Sequence, residues 1–134
     1  MPLVRTEALA SVAEYAYAAV VDPQTRLVFT AGACPLDADG RIIAPFTAWD
    51  GAPTGGPGAS TGSRAAGATL ADVVKSKVFV ATADRAALVA VWGVVRDAFG
   101  DHDPPSTLLG VTVLGYPDQL VEVEAIAALP ALAA

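Results

Sequence analysis

Apolar and polar positions alternate most clearly in residues 103–129, DPPSTLLGVTVLGYPDQLVEVEAIAAL. The pattern predicts two strands, 107–113 and 120–127, joined at GYPDQ, where Gly115, Pro117 and Asp118 supply turn chemistry. On the second strand Glu122 and Glu124 alternate with Val121, Val123 and Ala125. Side chains on a strand change face at every residue, so both carboxylates point the same way. Such a pair either meets solvent or lines a pocket, because carboxylates are rarely buried without a partner.

Earlier in the chain, residues 1–14 are mixed and predict little regular structure. Residues 15–21 (YAYAAVV) read as a strand because a turn signal, DPQT, follows at once. Residues 27–31 form a second strand, rich in β-branched and aromatic side chains. The two are expected to pair as a hairpin that ends at Gly32, with a turn at 37–40 leading into a short strand at 41–43. Residues 44–67 carry six glycines and three prolines and no helical periodicity. Interior Gly and Pro cost a helix about 1 and 3 kcal/mol each. Three readings stay open for this interval: a loop over the sheet, a helix confined to 60–67, or a scrambled reading frame in the source sequence.

From Thr69 the pattern recovers. Residues 70–73 lead into a strand at 74–81, and Asp84 is placed to cap the helix that follows. In that helix Ala87, Leu88, Val91, Val94, Val95 and Ala98 recur at helical spacing, and Gly100 stands where a C-terminal glycine cap belongs. The order is three strands, the glycine-rich interval, a strand, a helix and two strands. That predicts an α+β layer fold, one sheet with helices on one face.

Composition narrows the classes. A chain of 134 residues is expected to make one domain, 1–134, and a 54% hydrophobic content excludes general disorder. Mean hydropathy of +0.50 on so short a chain points to apolar surface covered by other subunits. The longest apolar run, 86–95, is too short for a membrane span of roughly 20 residues. No basic start leads into an apolar core after Met1-Pro2, so no secretory segment is expected. The net charge is −6 and the eight Lys and Arg are scattered, which disfavours nucleic acid as a partner. The single cysteine, Cys34, has no internal disulfide partner and fits a reducing cytoplasm.

Candidate chemistry is sparse. No phosphate loop, paired metal-ligand spacing or nucleophile elbow is present, so neither a metal nor a cofactor is expected. His102, in the run DHD, reads as a solvated turn. Cys34 has no basic neighbour to lower its pKa and reads as inert. Trp92 reads as packing, and Trp49 falls in the glycine-rich interval.

Four stretches in order, LVFTAGACPLDAD (27–39), AAGATLADVVKSKVFV (65–80), the helix-like 84–100 and GVTVLGYPDQLVEVEAIA (110–127), resemble the RidA/YjgF family. These are small trimeric proteins described as enamine/imine deaminases. The resemblance implies a chorismate-mutase-like fold, with one mixed β-sheet covered on one face by helices. It also implies a homotrimer with the sheets around its threefold axis, a helix within 44–67, and a small-molecule pocket at the subunit interface. Glu122 matches the family's water-activating glutamate, Tyr15 its pocket tyrosine, and Ala31 with Gly32 the backbone segment beside it. Active deaminases carry an arginine in P-x-R-T that clamps the substrate carboxylate; aligned through Pro104, Pro105 and Thr107, this chain has Ser106 there. Losing such a charge-assisted pair costs about 1.5–3 kcal/mol.

The expected pocket, Tyr15, Ala31, Gly32, Ser106, Thr107 and Glu122, therefore suits a small metabolite less anionic than an amino-acid imine. It either hydrolyses a neutral imine or enamine, with Glu122 orienting water, or only binds it. One alternative is a 2-iminopropanoate/enamine deaminase in which Ser106 or backbone amides hold the carboxylate. Another is a non-catalytic binding or chaperone-like module. Ribonuclease activity is disfavoured, because an acidic chain without a basic stripe has little means of gathering phosphate charge.

Overall fold

The computed structural model describes residues 2–10, 12–34 and 65–133. Two long strands dominate it: β4 (Val73–Ala81) and β6 (Val121–Leu129). They pair antiparallel, with Val78 opposite Val123 and Phe79 opposite Glu122. β5 (Ser106–Val111) runs parallel along the other side of β4, and β3 (Arg26–Phe29) antiparallel along the other side of β6. The sheet order is β3-β6-β4-β5, so the sheet is mixed. A separate two-stranded piece joins β1 (Leu3–Val4) to β2 (Ala18–Ala19).

The strands form here because their alternation matches a sheet with one wet and one dry face. Val78 and Val80 of β4 and Val121, Val123 and Ala125 of β6 point to one side. They pack there against Val91, Val95 and Phe99 of α1 (Arg85–Phe99), one turn apart along the helix. Asp84 accepts a hydrogen bond from the Ala86 N–H at 2.9 Å, satisfying one free donor of the first turn. Gly100, at φ 63°, ends the helix in a conformation that favours glycine and donates to the Arg96 and Asp97 carbonyls. The fold is thus α+β with a helix on one face of a mixed sheet, chorismate-mutase-like, as expected.

Several local expectations are corrected. The proposed hairpin of 15–21 with 27–31 does not form: β2 is only two residues long and pairs with β1, while β3 pairs with β6. A turn signal between two runs marks where the chain reverses, not which strand each run joins. The two strands joined at GYPDQ are real but not neighbours, because β4 lies between them. Residues 70–73 contribute a 3₁₀ turn, Leu70–Asp72, where Asp72 Oδ2 accepts from both the N–H and hydroxyl of Thr69. His102 is half-buried rather than solvated, its Nε2 2.7 Å from the Val73 carbonyl oxygen. The strand expected at 41–43, most of the 44–67 interval and Trp49 lie outside the described residues.

Val123 is fully buried where β6 meets the helix. Val123→Ala is expected to lower the free energy of unfolding by about 2–3 kcal/mol, through lost burial plus the cavity left behind. A urea titration should show this as a lower midpoint at unchanged slope.

Candidate functional site

The face of the sheet away from α1 carries the polar alternates of the same strands. On β6 these are Glu122 and Glu124, and on β4 Lys75 and Lys77. The segment following β3 runs on beside β6: Thr30 N–H donates to the Ala125 carbonyl, and Ala33 and Val123 exchange both backbone hydrogen bonds. This course lays Gly32 directly on the Glu122 side chain. A Cβ at Gly32 would stand 2.5 Å from Glu122 Cδ and 2.7 Å from Oε1. Any side chain at Gly32 would therefore displace the carboxylate. Ala31 is exposed just before this contact.

Among the described residues nothing hydrogen-bonds or ion-pairs with the half-buried Glu122 carboxylate. Cys34 is buried next to this segment. Burial pushes its thiol pKa above the usual 9.0, and the charge of Glu122 adds to the effect. The thiol is therefore held protonated near neutral pH, which matches the inert reading of Cys34.

Glu124 pairs with Lys77 at 3.0 Å, and the Lys75 ammonium donates to Thr107 Oγ1 at 2.9 Å. Thr107 is thus on the open face with Glu122, although the register sets it two strands away and one side-chain row along. Ser106, one residue earlier, points to the opposite side. It is 9% exposed, donates to the Pro104 carbonyl at 2.9 Å and lies 2.7 Å from Ser76 Oγ. With its proton committed to Pro104, Ser106 accepts from Ser76.

Tyr15 is also on the helix side. Its ring meets Trp92 edge-on at 5.6 Å, and Glu14 beside it accepts from Trp92 Nε1 and pairs with Arg96 at 2.7 Å. A cavity of about 300 Å³ opens there, bounded also by His102, Asp103 and Pro104. One chain thus brings together Glu122, Gly32 and Ala31, holds Thr107 on the same face, and leaves Tyr15 and Ser106 on the other. Trp92 packs as expected, but its indole N–H is also spoken for.

Three basic residues near these groups, Lys75, Lys77 and Arg5, escaped the sequence reading, and Arg96 reads from the sequence only as a residue of the helix. Lys75 and Lys77 share the open face, which their alternation in VKSKV implies once β4 is known to lie beside β6. Arg5 reaches Asp103 and Arg96 reaches Glu14, so two guanidinium groups flank the Tyr15 cavity from elements remote in sequence. No local signal announces either contact. Among the described residues there is no cluster of metal-binding side chains, and no helix is long and apolar enough to cross a membrane.

The model of the Endoribonuclease L-PSP family, the RidA/YjgF group, matches residues 5–129. The chain belongs to this family. Its fold is that of solved relatives. The Rid protein YyfB from Yersinia pestis is 25% identical, with 96% of this chain and 98% of that one covered and a TM-score of 0.76. Rv2704 from Mycobacterium tuberculosis is 29% identical over 90% and 97% of the two chains, with a TM-score of 0.57. TdcF of E. coli, solved with bound serine, is 23% identical over 96% and 99% with a TM-score of 0.60, a likeness of fold alone. No curated protein matches the chain.

Two predictions arise from this L-PSP-family site. Because Glu122 contributes to the raised Cys34 pKa, Glu122→Gln is expected to move the pH profile of Cys34 alkylation by iodoacetamide to lower pH, by less than the whole shift since burial is the larger cause. A thiol whose folded pKa is raised supports the fold fully below the unfolded value and loses that support as pH rises through the folded one. Ser106→Arg, which the sequence would suggest as a way to restore the clamp, is expected to destabilise by more than about 3 kcal/mol by burying an unpaired charge. Ser106→Ala should cost only about 1–2 kcal/mol. Both are read by denaturant titration.

Proposed function

We propose that the protein is a Rid-type small-molecule protein that hydrolyses a neutral imine or enamine, with Glu122 as the group that activates water. The observation that carries this reading is the Glu122 carboxylate itself. It is half-buried on the backbone of Gly32 and free of any hydrogen-bond or salt-bridge partner among the described residues. A carboxylate so placed can accept a proton from water as the water oxygen bonds to the imine carbon. The C=N electron pair moves to nitrogen, which takes the proton from Glu122 and leaves a carbinolamine; Glu122 then carries the carbinol O–H proton to the same nitrogen, and the C–N bond breaks as the O–H electron pair forms C=O. Ammonia and a carbonyl product leave. General-base catalysis of this kind is worth about 10²–10⁴-fold.

The substrate class follows from the missing anion clamp. Ser106 is buried and engaged with Ser76 and Pro104, so its hydroxyl is not offered to a substrate carboxylate. A homotrimer belongs to the same reading, with a second copy supplying the Tyr15 side of the pocket. Its support is the apolar surface on the open face and its edge, where Phe29 is 68% and Leu109 46% exposed. A cytoplasmic setting and an absence of nucleic-acid binding complete the reading, from the lone cysteine and the net charge of −6. That same exposed surface favours a second reading, a binding module without catalysis.

Ammonia release from a neutral imine and from 2-iminopropanoate generated by an amino-acid oxidase separates these readings. Wild type is expected to accelerate the neutral substrate, to prefer it at least tenfold in kcat/KM, and to lose about 10²-fold in Glu122→Gln. Preference for 2-iminopropanoate would make the protein a 2-imino acid deaminase. Activity unchanged in Glu122→Gln would remove Glu122 from the mechanism, and inertness toward both would leave the binding module.

A further inference from the structure

Four rings line one cavity on the helix side of the sheet. The space of about 300 Å³ beside Tyr15 is bounded also by Trp92, Phe99 and His102. Trp92 and Phe99 are seven residues, or two turns, apart on α1 and so share a helix face. Tyr15 and Trp92 meet at 87° with ring centroids 5.6 Å apart, and Phe99 and His102 at 58° and 6.1 Å. Rings set at such angles leave faces unstacked, and the face is the negative part of the aromatic quadrupole.

The charge around the same cavity is also negative. Its lining sets Glu14, Asp101 and Asp103 against Arg96, a balance of +1 − 3 = −2. Arg96 is held by Glu14 at 2.7 Å and by Asp97 at 3.0 Å, and Asp103 is paired with Arg5. Counting Arg5 and Asp97 leaves the balance at +2 − 4 = −2. Asp101 has no partner among the described residues. A carbonyl oxygen can only accept, so the His102 Nε2 that lies 2.7 Å from the Val73 oxygen carries the proton, and Nδ1 of the neutral ring is an acceptor. The Trp92 N–H is spent on Glu14. What remains to a ligand is ring faces, a carboxylate and an imidazole nitrogen, all of which attract positive charge.

We propose that this cavity binds a small organic ammonium ion, with the Tyr15 and Trp92 rings against the cation and Asp101 as its counter-charge. A cation over an aromatic face is drawn by the ring quadrupole, most strongly at tryptophan. The negative lining turns an anion away. The inference stands on the cavity of one chain and not on imine hydrolysis, although both readings use Tyr15.

The test is titration of the native assembly with choline and with its neutral isostere 3,3-dimethylbutan-1-ol at fixed ionic strength. Binding is read from the Trp92 indole N–H signal by NMR, assigned in Trp49→Phe, and from thermal shift. Choline is expected to move the indole signal and raise Tm in a saturable way, with the alcohol doing neither. Tyr15→Leu and Trp92→Leu should each weaken choline about fivefold or more, the loss of one ring face. Asp101→Asn should weaken it less, and less still at high salt. Should Trp92→Leu fail to fold, Tyr15→Leu and the wild-type indole signal still decide. Glu122→Gln should leave choline binding within twofold whatever it does to ammonia release, which separates this test from that of imine hydrolysis. A tenfold loss in Glu122→Gln would overturn a site complete within one chain. Equal responses to choline and the alcohol, an unmoved indole signal, or sodium chloride acting as strongly as choline chloride would overturn the proposal.

Discussion

The antiparallel pairing of β4 with β6 is the constraint on which the rest of the molecule depends. Six consecutive pairs, from Lys75 opposite Ile126 to Val80 opposite Val121, lock two alternating strands in one register, with a bulge before the pair at Val73. Because the side-chain period is two, that register decides everything at once. It puts Val78, Val80, Val121 and Val123 under the helix, and Lys75, Lys77, Glu122 and Glu124 on the other side. A slip by one residue would bury four charges and expose the core. The strong packing of valines against α1 is therefore also what positions the polar face. Stability and site geometry come from the same hydrogen-bond ladder.

Legibility in the sequence followed the range of the interactions. The helix and both its caps were readable because Asp84, the apolar stripe and Gly100 act within a few residues of one another. The common face of Glu122 and Glu124 was readable for the same reason. Strand partnership was not. That β6 sits between β3 and β4, with β5 on the far side of β4, is set by burial of the whole sheet and leaves no mark in any local window. The alternation that placed the glutamates also separates Ser106 from Thr107, yet assigning both to one pocket through a motif passed over it. Contacts such as Arg5 with Asp103 and Arg96 with Glu14 join residues about 80–100 positions apart, and no spacing rule reaches that far.

Family membership and residue geometry carry different parts of the account. The family fixes the fold, and with it the expectation of a pocket; the site must be argued from the atoms. Here the atoms divide the family-derived residues between two faces of one sheet. They also reveal two unlike ends on the open face. One is acidic, with an unpartnered carboxylate seated on a glycine, and the other is rich in donors. In each, burial shifts the pKa of a neighbouring titratable group and a nearby charge adds to it, Glu122 for Cys34 and Lys77 for Lys75.

Among the described residues β3 is held in the sheet by β6 alone, with Arg26 opposite Leu129, a separation of 129 − 26 = 103 residues. At ribosomal speeds of about 5–20 residues per second, β3 waits roughly 5–20 s for its partner to be made. During that interval Leu27 and Phe29 lack the strand they face in the finished sheet. The newborn chain therefore carries β3 for most of this domain's synthesis before the strand it pairs with exists.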